Sequence, residues 1–158
     1  TLQGAVWFTH DGEKKAMESS RWKFAVAEGD HLTMLNVYQA FVTKGKKEAS
    51  WCRNHHLNFK SMTKAVSVRN QLKRYMERFG VNVDESLSSK SVLTVGGPDK
   101  AEQIRRCLTS GYFVHAARMQ ADGTFQTVDG SMTLHAHPSS LMFVSARVMN
   151  CAFGPPHC

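Results

Sequence analysis

The chain has 158 residues, 42% of them hydrophobic, with 20 Lys and Arg against 13 Asp and Glu for a formal charge of +7. That is enough for one domain or two small ones with a modest core. No apolar run approaches the roughly 20 residues of a membrane-spanning helix, so a soluble chain without a membrane partner is expected.

Thr1 to Phe8 does not read as a signal peptide, and there is no initiator methionine, which together suggest a fragment. Glu13 to Phe24 reads as a charged helix with Met17, Arg21 and Phe24 on one side. From Gly29 to Phe41 the pattern is a strong helix. Asp30 suits its N-cap, and Met34, Val37, Tyr38, Phe41 and Val42 form the apolar stripe. Leu32 and Leu35 widen that stripe, and Lys44-Gly45-Lys46-Lys47 ends the helix. Trp51 to Phe59 suggests a short helix with Trp51, His55 and Phe59 four apart. Met62 to Phe79 follows, capped by Ser61 or Thr63, with Met62, Ala65, Val66, Leu72, Met76 and Phe79 on the expected core side. Arg69 interrupts that side and must find carboxylate, carbonyl or phosphate.

Asn82 to Gly97 is polar and rich in Ser and Gly, as a linker or mobile loop would be. Pro98-Asp99 opens a helix through Ala101, Ile104, Leu108 and Gly111. Asp122-Gly123 and Asp129-Gly130 are hairpin-turn signals. They separate candidate strands near 114–120, 124–128, 132–137 and 141–145. The fold class is therefore α+β, a helical part followed by a small β domain.

The charge is concentrated. Residues 44–78 hold 10 Lys or Arg and 2 Asp or Glu, whereas residues 81–158 balance at 6 and 6. Such a block suits a polyanion, most simply nucleic acid, by counterion release. It suits equally a solvated helix face. The four cysteines, Cys52, Cys107, Cys151 and Cys158, form no CxxC pair. Reduced intracellular thiols are expected, with Cys52 and Cys107 as small buried hydrophobes.

The run Lys23-Phe24-Ala25-Val26-Ala27-Glu28-Gly29-Asp30-His31-Leu32-Thr33-Met34-Leu35-Asn36-Val37-Tyr38 resembles the start of the helicase-associated region of DEAH-box RNA helicases. Later landmarks extend the resemblance over about residues 22–144. They include Asn58-Phe59-Lys60-Ser61-Met62, Val68-Arg69-Asn70-Gln71-Leu72, Gly111-Tyr112-Phe113, Gly123-Thr124-Phe125 and His135-Ala136-His137-Pro138-Ser139-Ser140. The wording is most similar to the spliceosome-associated members. The resemblance implies a helical ratchet-like bundle over 1–97 with a trailing linker. It further implies a helix plus partial OB-fold barrel over 98–146, and leaves 147–158 as an atypical tail. That tail lacks the family's further strands, so the barrel is expected to be incomplete, with exposed strand edges. The sequence also lacks a Gly-rich Lys-Ser/Thr phosphate loop and an Asp-Glu-Ala-His box. The ATP and Mg implied for the parent enzyme therefore find no motif here, and no cofactor is expected in this chain.

Lys60, Ser61, Lys64 and Arg69, at the start of a basic helix, are the leading RNA candidates. Arg118 joins them, as do His135, His137, Ser139 and Ser140 in the segment that the resemblance puts in the barrel, where hydroxyls and amides can meet phosphate. For each, the alternative is an ordinary surface or intramolecular pair. In a strand, His135 and His137 would share a face, but no compact ligand set closes a zinc site around them. Tyr38, Phe41, Trp51 and Phe59 could stack on bases, yet their helical spacing favours core. No motif supports nucleophilic catalysis. The expected function is a non-motor helicase fragment that binds single-stranded RNA through phosphate and helps close the RNA channel. The resemblance adds a nuclear location, motor domains in cis, and spliceosomal or activator proteins as partners. The competing expectation is a protein-interaction module docking on motor domains or an activator.

Overall fold

The computed structural model describes residues 6–8, 12–45, 47–81, 97–138 and 140–143. In chain order it contains α1 (Lys14–Trp22), α2 (Asp30–Thr43), α3 (Ala49–Asn54), α4 (Phe59–Arg78) and α5 (Gly97–Tyr112). A 3-10 turn (Phe113–His115) then leads into β1 (Ala117–Met119), β2 (Phe125–Thr127) and β3 (Thr133–Leu134). The chain is α+β, as expected, with a small antiparallel sheet that does not close into a barrel among the described residues. No described helix is long and apolar enough to cross a membrane. By contacts the chain divides into two units, Thr1–Ala25 with Thr33–Val95, and Val26–Leu32 with Gly96–Cys158.

The first unit is built on α2. Val37, Ala40 and Phe41 are buried against Trp7, Phe24, Cys52, Leu57 and Met62, while Met34, Tyr38 and Val42 pack at the margin. The stripe expected from spacing is therefore the observed core side. Trp51 stacks on His55 at 4.2 Å and meets Phe24 and Phe41 at 6.2 Å each. The His55 Nδ1–H donates to the Trp51 carbonyl at 2.9 Å, which holds this short helix onto the aromatic cluster. A bridge between Trp7 and Leu57, with Asn58 N–H donating to the Val6 carbonyl at 2.8 Å, ties the start of the chain to the entry of α4. Phe41 and Trp51 are thus core residues, and Phe59 packs edge-on against Phe41 at 6.3 Å.

Two details of α4 differ from expectation. Its N-cap is Asn58, whose side-chain oxygen accepts from the Ser61 amide at 3.1 Å, rather than Ser61 or Thr63. An Asn in extended conformation one residue before the helix does this job well. The expected core stripe also fails at Ala65, which is exposed, and throughout beyond the second turn. Met62 is buried and Val66 half-buried, but Leu72 is 56% and Phe79 83% exposed. A helix of this length runs about 30 Å, and the aromatic core meets only its first turns.

In the second unit, β1, β2 and β3 form a meander in that order. Ala117 pairs with Thr127, Met119 with Phe125, and Phe125 with Leu134. Cross-strand partners share a face, so Met119, Phe125 and Leu134 line an apolar side and Arg118, Gln126 and Thr133 a polar one. Both Asp-Gly signals are turns. Gly123 and Gly130 take φ of 80° and 73°, left-handed values that a side chain tolerates poorly. The fourth expected strand is absent at 141–143, where the chain makes a helical turn. Ser140 sets it, accepting from Phe143 N–H on its carbonyl and from Met142 N–H on its hydroxyl. Of α5, Ala101 is buried, but Cys107 is exposed, contrary to expectation. Of the expected linker (82–97), Gly97 instead opens α5, while 82–96 and the tail (147–158) lie outside the described residues.

Candidate nucleic-acid interface

Helix geometry sorts α4 into three faces at 100° per residue. Met62 and Val66 face the core. Lys60, Lys64, Gln71, Arg74 and Arg78 form a second, exposed stripe, extending about 27 Å along the axis at 1.5 Å per residue. Among the described residues, Lys60, Lys64 and Arg74 make no ion pair, whereas Lys73 lies 3.7 Å from Glu77 on another side of the helix. A row of unpaired cations along a rigid rod can follow a phosphate backbone. Val68, Leu72, Tyr75 and Phe79 make the third face, exposed and apolar.

The other first-unit candidates, Ser61 and Arg69, stand off this stripe. The Ser61 amide is occupied by Asn58, and the Ser61 side chain is half-buried. Arg69 is half-buried toward α2 rather than aligned with the lysines. There its charge partly offsets the burial that pushes the Tyr38 phenol up from its usual pKa. Arg74 and Arg78, absent from the sequence-derived site, stand on the stripe with Lys60 and Lys64. The signal that finds them is the helical angle, read outward from Lys64 instead of inward from Met62.

The second unit holds the remaining candidates. Arg118 is exposed on the polar side of the sheet, beside Gln126, and with Gln120, Thr127, Val128 and Gly130 it borders a shallow depression. His135 is exposed beyond the end of β3, and its charge adds to the lowering of the Asp122 pKa. Because β3 ends at Leu134, His135 and His137 do not occupy alternate positions of a strand, so that geometric pairing does not hold. Both side chains are exposed. The Ser140 hydroxyl donates to Asp30 Oδ2 at 2.5 Å and the Leu141 amide donates to Asp30 Oδ1 at 2.9 Å. Asp30 therefore secures the segment after His137 in addition to opening α2. Ser139 lies outside the described residues.

No group of three His, Cys, Asp or Glu among the described residues could hold a metal ion.

No protein-family model matches the chain. Its sequence is 42% identical over 121 residues, 77% of the chain, to the Homo sapiens protein named "Probable ATP-dependent RNA helicase DHX35". It is 37% identical over 139 residues to the Caenorhabditis elegans homologue of that name. It is 33% identical over 136 residues to the ATP-dependent RNA helicase DHX33 of Drosophila melanogaster. The chain is thus similar to one part of these ATP-dependent RNA helicases. It spans only 16% of the human DHX35 relative and 18% of the Drosophila DHX33 one. The helicase motor motifs that would hold ATP and Mg are not in this sequence, so no step through them is assigned to its residues.

Proposed function

We propose that this chain is a non-motor, RNA-binding part of a DEAH-box helicase, holding single-stranded RNA through phosphate while motor domains in cis supply ATP hydrolysis. The observation that carries the proposal is the exposed cation stripe on α4, Lys60, Lys64, Arg74 and Arg78, inside the block of highest positive charge. Phosphate contacts impart little sequence preference, which suits a segment that helps close a channel over moving RNA. Arg118 and His135 are the corresponding candidates on the second unit. A nuclear location and a role in pre-mRNA splicing, with spliceosomal or activator proteins as partners, complete the proposal.

A second reading has its own support. The exposed apolar residues on α4 and on the Met119–Phe125–Leu134 side of the sheet suit docking on motor domains or an activator. Anisotropy of a labelled single-stranded RNA titrated with the folded chain at two salt concentrations decides between them. Affinity that falls steeply with salt supports the RNA role. No binding by folded chain, together with retention by acidic protein partners, favours docking.

A further inference from the structure

The α4 face beside the cations raises a question that phosphate binding does not answer. Val68, Leu72, Tyr75 and Phe79 fall within about 60° of one another at 100° per residue. Tyr75 is 46% exposed and Phe79 83%. Large apolar groups left in water forgo the favourable free energy of burial, and a contiguous exposed stripe of them is the kind of surface a partner covers. Its surroundings narrow the choice. Gln71 Nε2 donates to the Tyr75 hydroxyl at 3.2 Å, and the Arg78 guanidinium lies 5.8 Å from the Tyr75 ring centroid. Those contacts engage the hydroxyl and one face of the tyrosine ring. The nearest acid on this half of α4, Glu77, is engaged with Lys73. The rings therefore stand in a positive field, which disfavours a basic partner and favours an anionic one that also carries flat apolar surfaces. Single-stranded nucleic acid has both.

We propose that Tyr75 and Phe79 form a stacking platform for unpaired nucleobases, with Arg74 and Arg78 set against the adjoining phosphates. The inference rests on the RNA-binding reading above and adds the part of RNA that is recognised. Base faces are buried in a duplex, so a platform of this kind selects single strands without reading sequence.

The test uses the full 158-residue chain and two labelled 12-mers of equal charge, an oligoadenylate RNA and an abasic ribose-phosphate strand. Stacking on even one ring predicts that the base-bearing strand binds about tenfold tighter. The double variant Tyr75→Ala/Phe79→Ala should bind both strands with the affinity that the parent chain shows for the abasic one. Circular dichroism should be unchanged, because neither ring belongs to the core. Phe79→Trp should retain the preference and add an indole signal quenched by the base-bearing strand alone. Equal affinity of the parent chain for both strands, with a steep salt slope, would end the platform and leave phosphate binding standing. A full preference retained by the double variant would also end it. No binding to either strand would remove both readings. Binding of an acidic peptide that needs Tyr75 and Phe79, where RNA does not, would assign the face to a protein instead.

Discussion

Gly45 follows α2 where an added Cβ would lie 2.6 Å from the Trp51 indole. Trp51 cannot swing aside, because Phe24, Phe41 and His55 surround its ring. Gly45→Ala is therefore expected to cost about 1–3 kcal/mol by overpacking, read as a lower urea midpoint with an unchanged slope. Electrostatics at single residues gives a second expectation. The Asp122 carboxyl is held below its ordinary value of 3.8, first by the Thr124 hydroxyl and then by the Thr124 amide. The Asp129 carboxyl is held below the same value, first by the Thr127 hydroxyl and then by Ser131. A carboxylate whose folded pKa is depressed stabilises the fold above its unfolded pKa. That contribution is lost as pH falls through the folded value, so the two turns should loosen only below pH 3.8. Carboxyl titration by NMR should show both midpoints below that value, and Thr124→Val should raise the one at Asp122 alone. An Asp122 midpoint indifferent to Thr124→Val would mean that the turn is not closed by this hydroxyl.

At the level of elements, helices and turns were legible because their signals are local. Spacing located α2, α4 and α5, and Asp-Gly located both turns of the sheet. What spacing does not contain is whether a face is covered. Leu72, Met76 and Phe79 share a side with each other as expected, yet that side has left the core. The missing fourth strand has a different cause. Leu141, Met142 and Phe143 are apolar enough for a strand, but Ser140 offers the next amides a tighter local alternative. Asp30 shows the same limit, since nothing local to a helix start announces bonds to residues 110 and 111 positions away. Asp30→Ala should destabilise the chain by about 1–3 kcal/mol, because the Leu141 amide loses its acceptor. Asp30→Asn, which keeps an acceptor oxygen, should recover part of that in chemical denaturation. The cation stripe makes its own prediction. Lys64→Ala should flatten the logarithmic salt slope of RNA binding by about 0.7 while weakening different RNA sequences alike. An unchanged slope would take Lys64 off the interface. Arg69→Ala should act mainly on stability, since its side chain is half-buried beside Tyr38.

Across the molecule, the two units are unequally provided with core. The first buries Trp7, Phe24, Val37, Phe41, Leu57 and Met62 in one cluster. In the second, the buried apolar residues among those described are Leu32, Ala101 and Leu141, while the strands expose Met119 and Leu134. Burial of apolar surface is the main favourable contribution to folding, and exchange protection follows how much of it an opening must disrupt. Hydrogen exchange of the isolated chain should therefore find the amides of β1, β2 and β3 opening well before those of α2 from Val37 to Phe41. The C-terminal half of α4, beyond Val66, should exchange earlier than its first turns, although both halves are one continuous helix. Single-stranded RNA should slow exchange selectively in that later half of α4, because a ligand stabilises the state to which it binds. Protection that appears there with RNA, and not in the aromatic core, would tie the exposed faces of α4 to binding. Strand amides that exchange in one cooperative step with α2 would instead show that the sheet draws its stability from the same core. The two-unit division would then fail as an energetic description.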